Sequence, residues 1–449
     1  MSSFVGRRAV VVGGGIGGLS VAGALAGYFE QVDVLERDCL AASAASRPGT
    51  AQDRHAHILL AGGLKALDEI FPDFERDLAE AGAVSVGLAQ DICYERADVG
   101  ALPKRDLGLS ILCASRPLIE FVLRRRATAV ANIALRQGCL VTEVMASRDA
   151  AHGVRFNTEA GQSETLETDL IVDASGRGAL TIALLGTIGW QRPPVTEIGV
   201  DLSYATGVVQ IPAGAIQDWK LATTQPAPPA VATYGALVPL EDGRWIATIA
   251  NHGPSPRLDV WENFHAAFRR LITPTIYDML GHARPLDRIR HYGFPANVWN
   301  HFERLQRLPR GVLPIADALC RFNPIHGQGM SSAAKQAQLL QNVLKQAATE
   351  SDPLAAAQTG FMARVESVLQ TPWRFSTSAD LAFPETRGER PENFQKGREF
   401  EAALFRAAVA DPVVHRAMAE VGQLLRHHDL FDEPHIMERI QAASAKAIA

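Results

Sequence analysis

The stretch that most constrains this chain lies near its start. A short β-branched run, Ala9 to Val12, leads into Gly13-Gly14-Gly15-Ile16-Gly17-Gly18 and then a helical stretch, Leu19 to Gly27. Strand, glycine turn and helix in that order open a parallel βαβ unit. Gly13, Gly15 and Gly18 fit G-x-G-x-x-G. The first glycine permits the tight turn, the second lets a pyrophosphate approach the backbone, and the third lets helix and strand pack closely. Exposed amides and the positive helix end then face the phosphates. A second strand, Val32-Asp33-Val34-Leu35, ends at Glu36, 18 residues past Gly18, close to the spacing of about 20 expected for a carboxylate that takes ribose hydroxyls. Arg37 beside it is a further candidate contact. An acid at this point disfavours a ribose phosphate, so FAD or NAD fits better than NADP.

Two later blocks separate FAD from NAD. Asp169-Leu170-Ile171-Val172-Asp173-Ala174-Ser175-Gly176 reads as a buried parallel strand ending in an acid, Asp173, and a glycine turn. Gly311 to Ala318 is another strand ending in an acid, Asp317, followed by Asn323-Pro324-Ile325-His326-Gly327-Gln328-Gly329-Met330. Asp317 suits the hydroxyls of a ribityl chain, and Gly327 and Gly329 remove side chains where backbone must lie against a flat ring. Met330, Ala333, Ala334, Ala337, Leu340 and Leu344 then keep one face of a helix. The positive end of that helix would meet the flavin edge where negative charge develops on reduction.

The three ordered blocks resemble those of the FAD-dependent monooxygenases related to p-hydroxybenzoate hydroxylase and squalene epoxidase, over roughly residues 5 to 345. The resemblance implies an α/β fold in which an FAD-binding Rossmann-like domain (1–85, 110–185 and 286–345) is interrupted by an antiparallel β-sheet substrate domain (86–109 and 186–285). A C-terminal helical region, 346–449, follows. It also implies an oxidoreductase of secondary metabolism that uses O2, through a flavin C4a-hydroperoxide, to hydroxylate or epoxidise an apolar or aromatic small molecule. Carried over residue by residue, Gly13, Gly15, Gly18 and Glu36 serve the ADP half and Asp317 the ribityl and phosphate region. Pro324, Gly327 and Gly329, with Met330 after them, frame the ring. Asp173 joins the cofactor set through the middle block, and Arg116, in Ser115-Arg116-Pro117, matches the family arginine that contacts the cofactor. Arg54, His55 and His57 lie where the family chain runs past the pyrophosphate toward the ring. His326, in the loop expected beside the ring, is the candidate catalytic residue.

The chain also departs from the family pattern. Ala316 stands where glycine usually precedes the aspartate, and Asp173 is followed by alanine rather than glycine. No second G-x-G-x-x-G exists, so NAD(P)H either docks transiently or a separate flavin reductase supplies electrons. The tryptophan pair of the flavin-dependent halogenases is missing, because no two tryptophans stand two residues apart. A geranylgeranyl-reductase type of enzyme, and a non-catalytic binding protein on the same fold, remain alternatives.

Composition excludes several other classes. A chain of 449 residues suits two to three domains, and a net charge of -5 with no basic stripe speaks against nucleic acid. The apolar opening run is broken by glycines, so no membrane span is expected. Five scattered cysteines without a metal-ligand pattern suggest reduced thiols, hence a cytoplasmic protein, and no metal site. His55 and His57, at i and i+2, do not share a helix face, which argues against a zinc pair. Strand-like runs at 198–211 and 231–251, with Glu241-Asp242-Gly243 as a turn, predict an antiparallel sheet over the flavin. Helical patterns cover 353–371 and 396–426. Oligomeric state is left open.

Overall fold

The structure is a computed structural model and describes residues 4–215 and 218–446. Its five-stranded parallel sheet runs in the order Val312–Pro314, Leu170–Asp173, Gly6–Val12, Phe29–Leu35 and Ile133–Arg136. Ala9 to Val11 are fully buried, as a parallel sheet covered on both faces requires. Helices Ile16–Ala26, Ala61–Ile70 and Gln328–Ala347 share the core on one face. On the other, Val10, Val12, Ile171 and Val312 pack on a three-stranded antiparallel sheet that includes Val141, Val144 and Phe156. In register, Val12 lies beside Leu35 and Asp173, so the glycine turn, Glu36 and the turn after Asp173 emerge together at the carboxyl end of the sheet. Open α/β sheets bind ligands at that edge.

The second sheet is built around Val195–Gln210, which pairs with Arg244–His252 on one side and Arg290–Asn300 on the other. Thr233–Pro239 and Arg244–His252 form the expected hairpin, with Asp242 (φ 60°) and Gly243 (φ 67°) both left-handed in its turn. Ile92–Arg96 joins the far side through Leu221–Thr224. Strand Arg290–Asn300 falls inside 286–345, the stretch expected in the cofactor domain. It nevertheless belongs to this sheet, because Phe294, Ala296 and Trp299 are buried in its pairing with Val195–Thr206.

Helix Pro353–Asp380 packs along Gln328–Ala347 and buries Phe361, Val365 and Leu369. The pattern expected as one helix over 396–426 is two, Phe394–Ala410 and Pro412–Gly422. Pro412 lacks an N–H and forces Asp411 out of the helical region, to φ -120°, ψ 117°. Asp411 then caps the second helix, its carboxylate accepting the Val413 N–H at 2.8 Å. Among the described residues, no helix is long and apolar enough to cross a membrane. None of their His, Cys, Asp and Glu side chains cluster so as to hold a metal ion.

Candidate functional site

A cavity of about 440 Å³ opens at the carboxyl end of the parallel sheet. The glycine turn forms its floor, and a side chain there would collide with backbone. A Cβ on Gly13 (φ +106°) would lie 2.7 Å from the Ala174 carbonyl, and one on Gly18 would lie 1.8 Å from that of Gly13. Gly15 precedes the helix in an extended conformation and lines the cavity. Glu36 is 4 % exposed and accepts the Gly14 N–H at 2.6 Å and the Asp38 N–H at 2.9 Å. Arg37 stands at the rim.

Farther along, Arg116 opens helix Arg116–Thr128, and its Nε is buried without a hydrogen-bond partner. Asp317 also lines the cavity. Burial pushes its carboxyl above the usual range, while the charges of Arg116 and Arg321 pull the other way. Pro324, Gly327 (φ +67°), Gly329 and Met330 complete the wall where helix Gln328–Ala347 begins, and a Cβ on Gly329 would meet only open space.

Two expected residues sit elsewhere. Asp173 is fully buried and does not line the cavity. Its two oxygens accept the N–H and hydroxyl groups of Ser175 and Thr181 at 2.6–3.2 Å, so it builds the turn that the cavity uses. Arg54 is exposed at the end of a short 3-10 turn and lines neither this cavity nor its neighbour. Arg47 takes the inner position instead. Its guanidinium is 8 % exposed and lies 3.1 Å from Glu36, 2.7 Å from Asp38 and 2.7 Å from Glu120. Burial opposes its charge, but the three carboxylates outweigh that effect and hold it protonated. Nothing in the local sequence marked Arg47, because its partners are scattered over residues 36 to 120.

A second cavity, about 250 Å³, shares Ile58, Pro324 and Gly327 with the first. Aliphatic residues of the large sheet and the 88–111 segment, among them Leu88, Ile92, Ile111, Leu221 and Val238, form one side. Phe375, Phe405, His415, Met418 and Gln423 of the C-terminal helices close the other. This region is fastened down: Gln423 accepts the Ala61 N–H through its side chain (3.0 Å) and the Gly62 N–H through its carbonyl (2.8 Å).

His326 lines this second cavity, and its Nε2 lies 3.3 Å from Asp380 at the end of helix Pro353–Asp380. Asp380 has no exposed surface and also accepts from Asn297 (2.7 Å) and Asn323 (2.9 Å). Burial alone would raise its carboxyl; hydrogen bonding to His326 and Asn297 and the nearby His252 ring more than offset that and hold it below the ordinary range. The sequence did not reveal Asp380, which is 54 residues from His326. His55, grouped with Arg54 in the sequence, is buried and bonds Thr206 (2.8 Å), which in turn bonds Thr248 (2.8 Å). Burial and neighbouring cations push His55 down to about 4, so it is neutral near pH 7.

Protein Rv3254 of Mycobacterium tuberculosis is 31% identical to this chain over 425 residues, covering 91% of this chain and 87% of its own length. The chain belongs to the Rv3254 family. No family model matches it. Its fold is that of the flavin-dependent monooxygenases. The p-nitrophenol 4-monooxygenase PnpA of Pseudomonas putida DLL-E4 superposes with a TM-score of 0.67 at 18% identity, over 95% of this chain and 100% of that one. HpxO of Klebsiella pneumoniae, solved with FAD and uric acid, gives 0.62 at 18%, over 93% and 96%. A flavoprotein/dehydrogenase of Cytophaga hutchinsonii gives 0.68 at 14%, over 98% and 99%.

Proposed function

We propose that this member of the Rv3254 family is an FAD-dependent monooxygenase that hydroxylates or epoxidises an apolar or aromatic small molecule. The observation that carries the reading is the junction of the two cavities at Ile58, Pro324 and Gly327. One cavity is lined by a glycine turn and several charged side chains, the other by apolar ones, and a flat ring seated at the shared wall would face both.

The polar cavity fits FAD on its own chemistry. The glycine turn lets a pyrophosphate approach the backbone at Gly15 and the start of the helix, while Glu36 would take ribose hydroxyls and Asp317 ribityl hydroxyls. The unpartnered Arg116 Nε supplies the donor an electron-rich group needs. When bound, FAD would supply the activation of O2 and the delivery of one oxygen atom to the substrate. The apolar walls exclude water and hold the substrate ring or double bond against the junction. His326, with Nε2 3.3 Å from Asp380, places a polar side chain in the second cavity, where it would contact the oxygen-bearing part of the substrate. NAD(P)H docking transiently, or a partner flavin reductase, would supply electrons.

Oxygen uptake tests the reaction. With an accepted substrate and an electron donor, one O2 should be consumed per product formed. His326→Ala should keep its FAD while losing product or releasing hydrogen peroxide. A substrate that is instead reduced under anaerobic conditions would overturn this reading in favour of a reductase.

A further inference from the structure

The second cavity, read as the substrate site of that monooxygenase, carries information about charge. Among the described residues, no Lys, Arg, Asp or Glu lines it. Ionic groups do lie behind the wall, and Arg96, Arg105 and Asp380 are held there by partners. Arg96 is clamped by Asp98 (2.9 Å) and Glu401 (2.8 Å), with its guanidinium 3.8 Å from the centre of the Phe405 ring, which lines the cavity. Arg105 donates to the last carbonyls of helix Phe394–Ala410, at Ala408 (2.6 Å) and Val409 (2.5 Å). Asp380 stands behind His326 with its oxygens occupied. Of the cavity's histidines, His55 and His415 are each pushed down to about 4, first by burial and then by nearby positive charges, and so bring no charge at neutral pH.

An anionic substrate entering this space would lose its water and meet no lysine or arginine in the lining, although an arginine lies one aromatic ring away. Burying such a group unpaired is unfavourable enough to decide selectivity. A cavity of about 250 Å³ also exceeds the roughly 150 Å³ that holds a benzene molecule. We infer that the substrate is an uncharged molecule of more than one ring's bulk, and that Phe405, together with the Asp98 and Glu401 clamp, is the specificity determinant that screens Arg96 from it.

The inference depends on the monooxygenase reading for the word substrate, and binding tests it without turnover. Two probes share an anilinonaphthalene frame: N-phenyl-1-naphthylamine is neutral, and 8-anilinonaphthalene-1-sulfonate carries a sulfonate. On the FAD-loaded protein, fluorescence titration should show the neutral probe binding at least about tenfold more tightly than the sulfonate. Ala419→Trp, which fills the cavity wall, should abolish neutral binding and so locate the probe. Phe405→Ala should raise sulfonate affinity by uncovering Arg96. Glu401→Gln, at a partly exposed position, should do the same more weakly and carries the test if Phe405→Ala does not retain FAD. Equal affinity for both probes at the Ala419 site, or neutral binding that is absent or untouched by Ala419→Trp, would overturn the inference. Sulfonate affinity unchanged in Glu401→Gln and in any folded Phe405→Ala protein would overturn the role of Arg96. A protein that passes these tests and never consumes O2 would keep the pocket and lose the reaction.

Discussion

The two cavities meet at one wall and are built by opposite rules. The one at the carboxyl end of the parallel sheet is lined by a glycine turn and charged side chains: Arg116 has a buried Nε without a partner, and burial pushes Asp317 toward its neutral form against the pull of Arg116 and Arg321. The one beneath the second sheet has no Lys, Arg, Asp or Glu among its described lining residues, and Arg96 behind it is paired with Asp98 and Glu401. The difference teaches where each ligand's binding energy comes from. Under the proposed reading a dinucleotide would supply phosphates and hydroxyls that complete the first site, whereas a ligand in the second would be retained by contact area and shape.

The largest effect should come from charging the uncharged side. His55 and His415 have folded values of about 4 against an ordinary 6.5. The unfolded chain therefore binds more protons between pH 6.5 and 4. Stability should be unaffected above 6.5 and fall as pH drops through that window, by up to about 1.4 kcal/mol per unit for each histidine, several in total. Denaturation of the His55→Gln/His415→Gln protein should show a flatter slope between pH 6.5 and 5; an unchanged slope would mean the cavity tolerates their protonation.

Next is Gly18→Ala on the charged side. Its Cβ would sit 1.8 Å from the Gly13 carbonyl, so a loss of about 3 kcal/mol or more is expected, together with the flavin. Thermal unfolding and absorbance at 450 nm read both. Asp380→Ala, at the seam, strands Asn297, Asn323 and His326, and should destabilise by about 2–3 kcal/mol. Asp380→Asn should lose less stability but still alter His326-dependent turnover.

These positions also mark how far the sequence could be read. That the glycine turn, Glu36, Asp317 and residues of the Pro324 to Met330 block line one cavity was legible because a glycine turn between strand and helix constrains consecutive residues and leaves a spacing. Arg47 and Asp380 were not, since each is defined by partners far apart in the chain. Asp173 shows the converse: its strand-end motif was plain, but a carboxylate there serves Ser175 and Thr181, and only the hydrogen bonds distinguish the two uses. The C-terminal helices were visible as helices. Their contribution to the apolar wall depended on the break at Pro412 and on Gln423 docking against Ala61 and Gly62, which periodicity does not encode.

The smallest expected effect is a gain. Ala316 holds φ +57°, and its Cβ would lie 2.8 Å from a Cβ placed on Gly17. Ala316→Gly should stabilise the protein by roughly 1 kcal/mol. It should also make Gly17→Ala tolerable, so the double variant should be more stable than the two single changes sum to.

The central claim, that the polar cavity is an FAD site, is tested most directly by flavin released on denaturation of the purified protein. The purified protein should be yellow and release close to one FAD per chain, with Asp317→Ala and Arg116→Ala releasing clearly less while remaining folded. A colourless protein that cannot be reconstituted with FAD, or full occupancy in both variants, would contradict it.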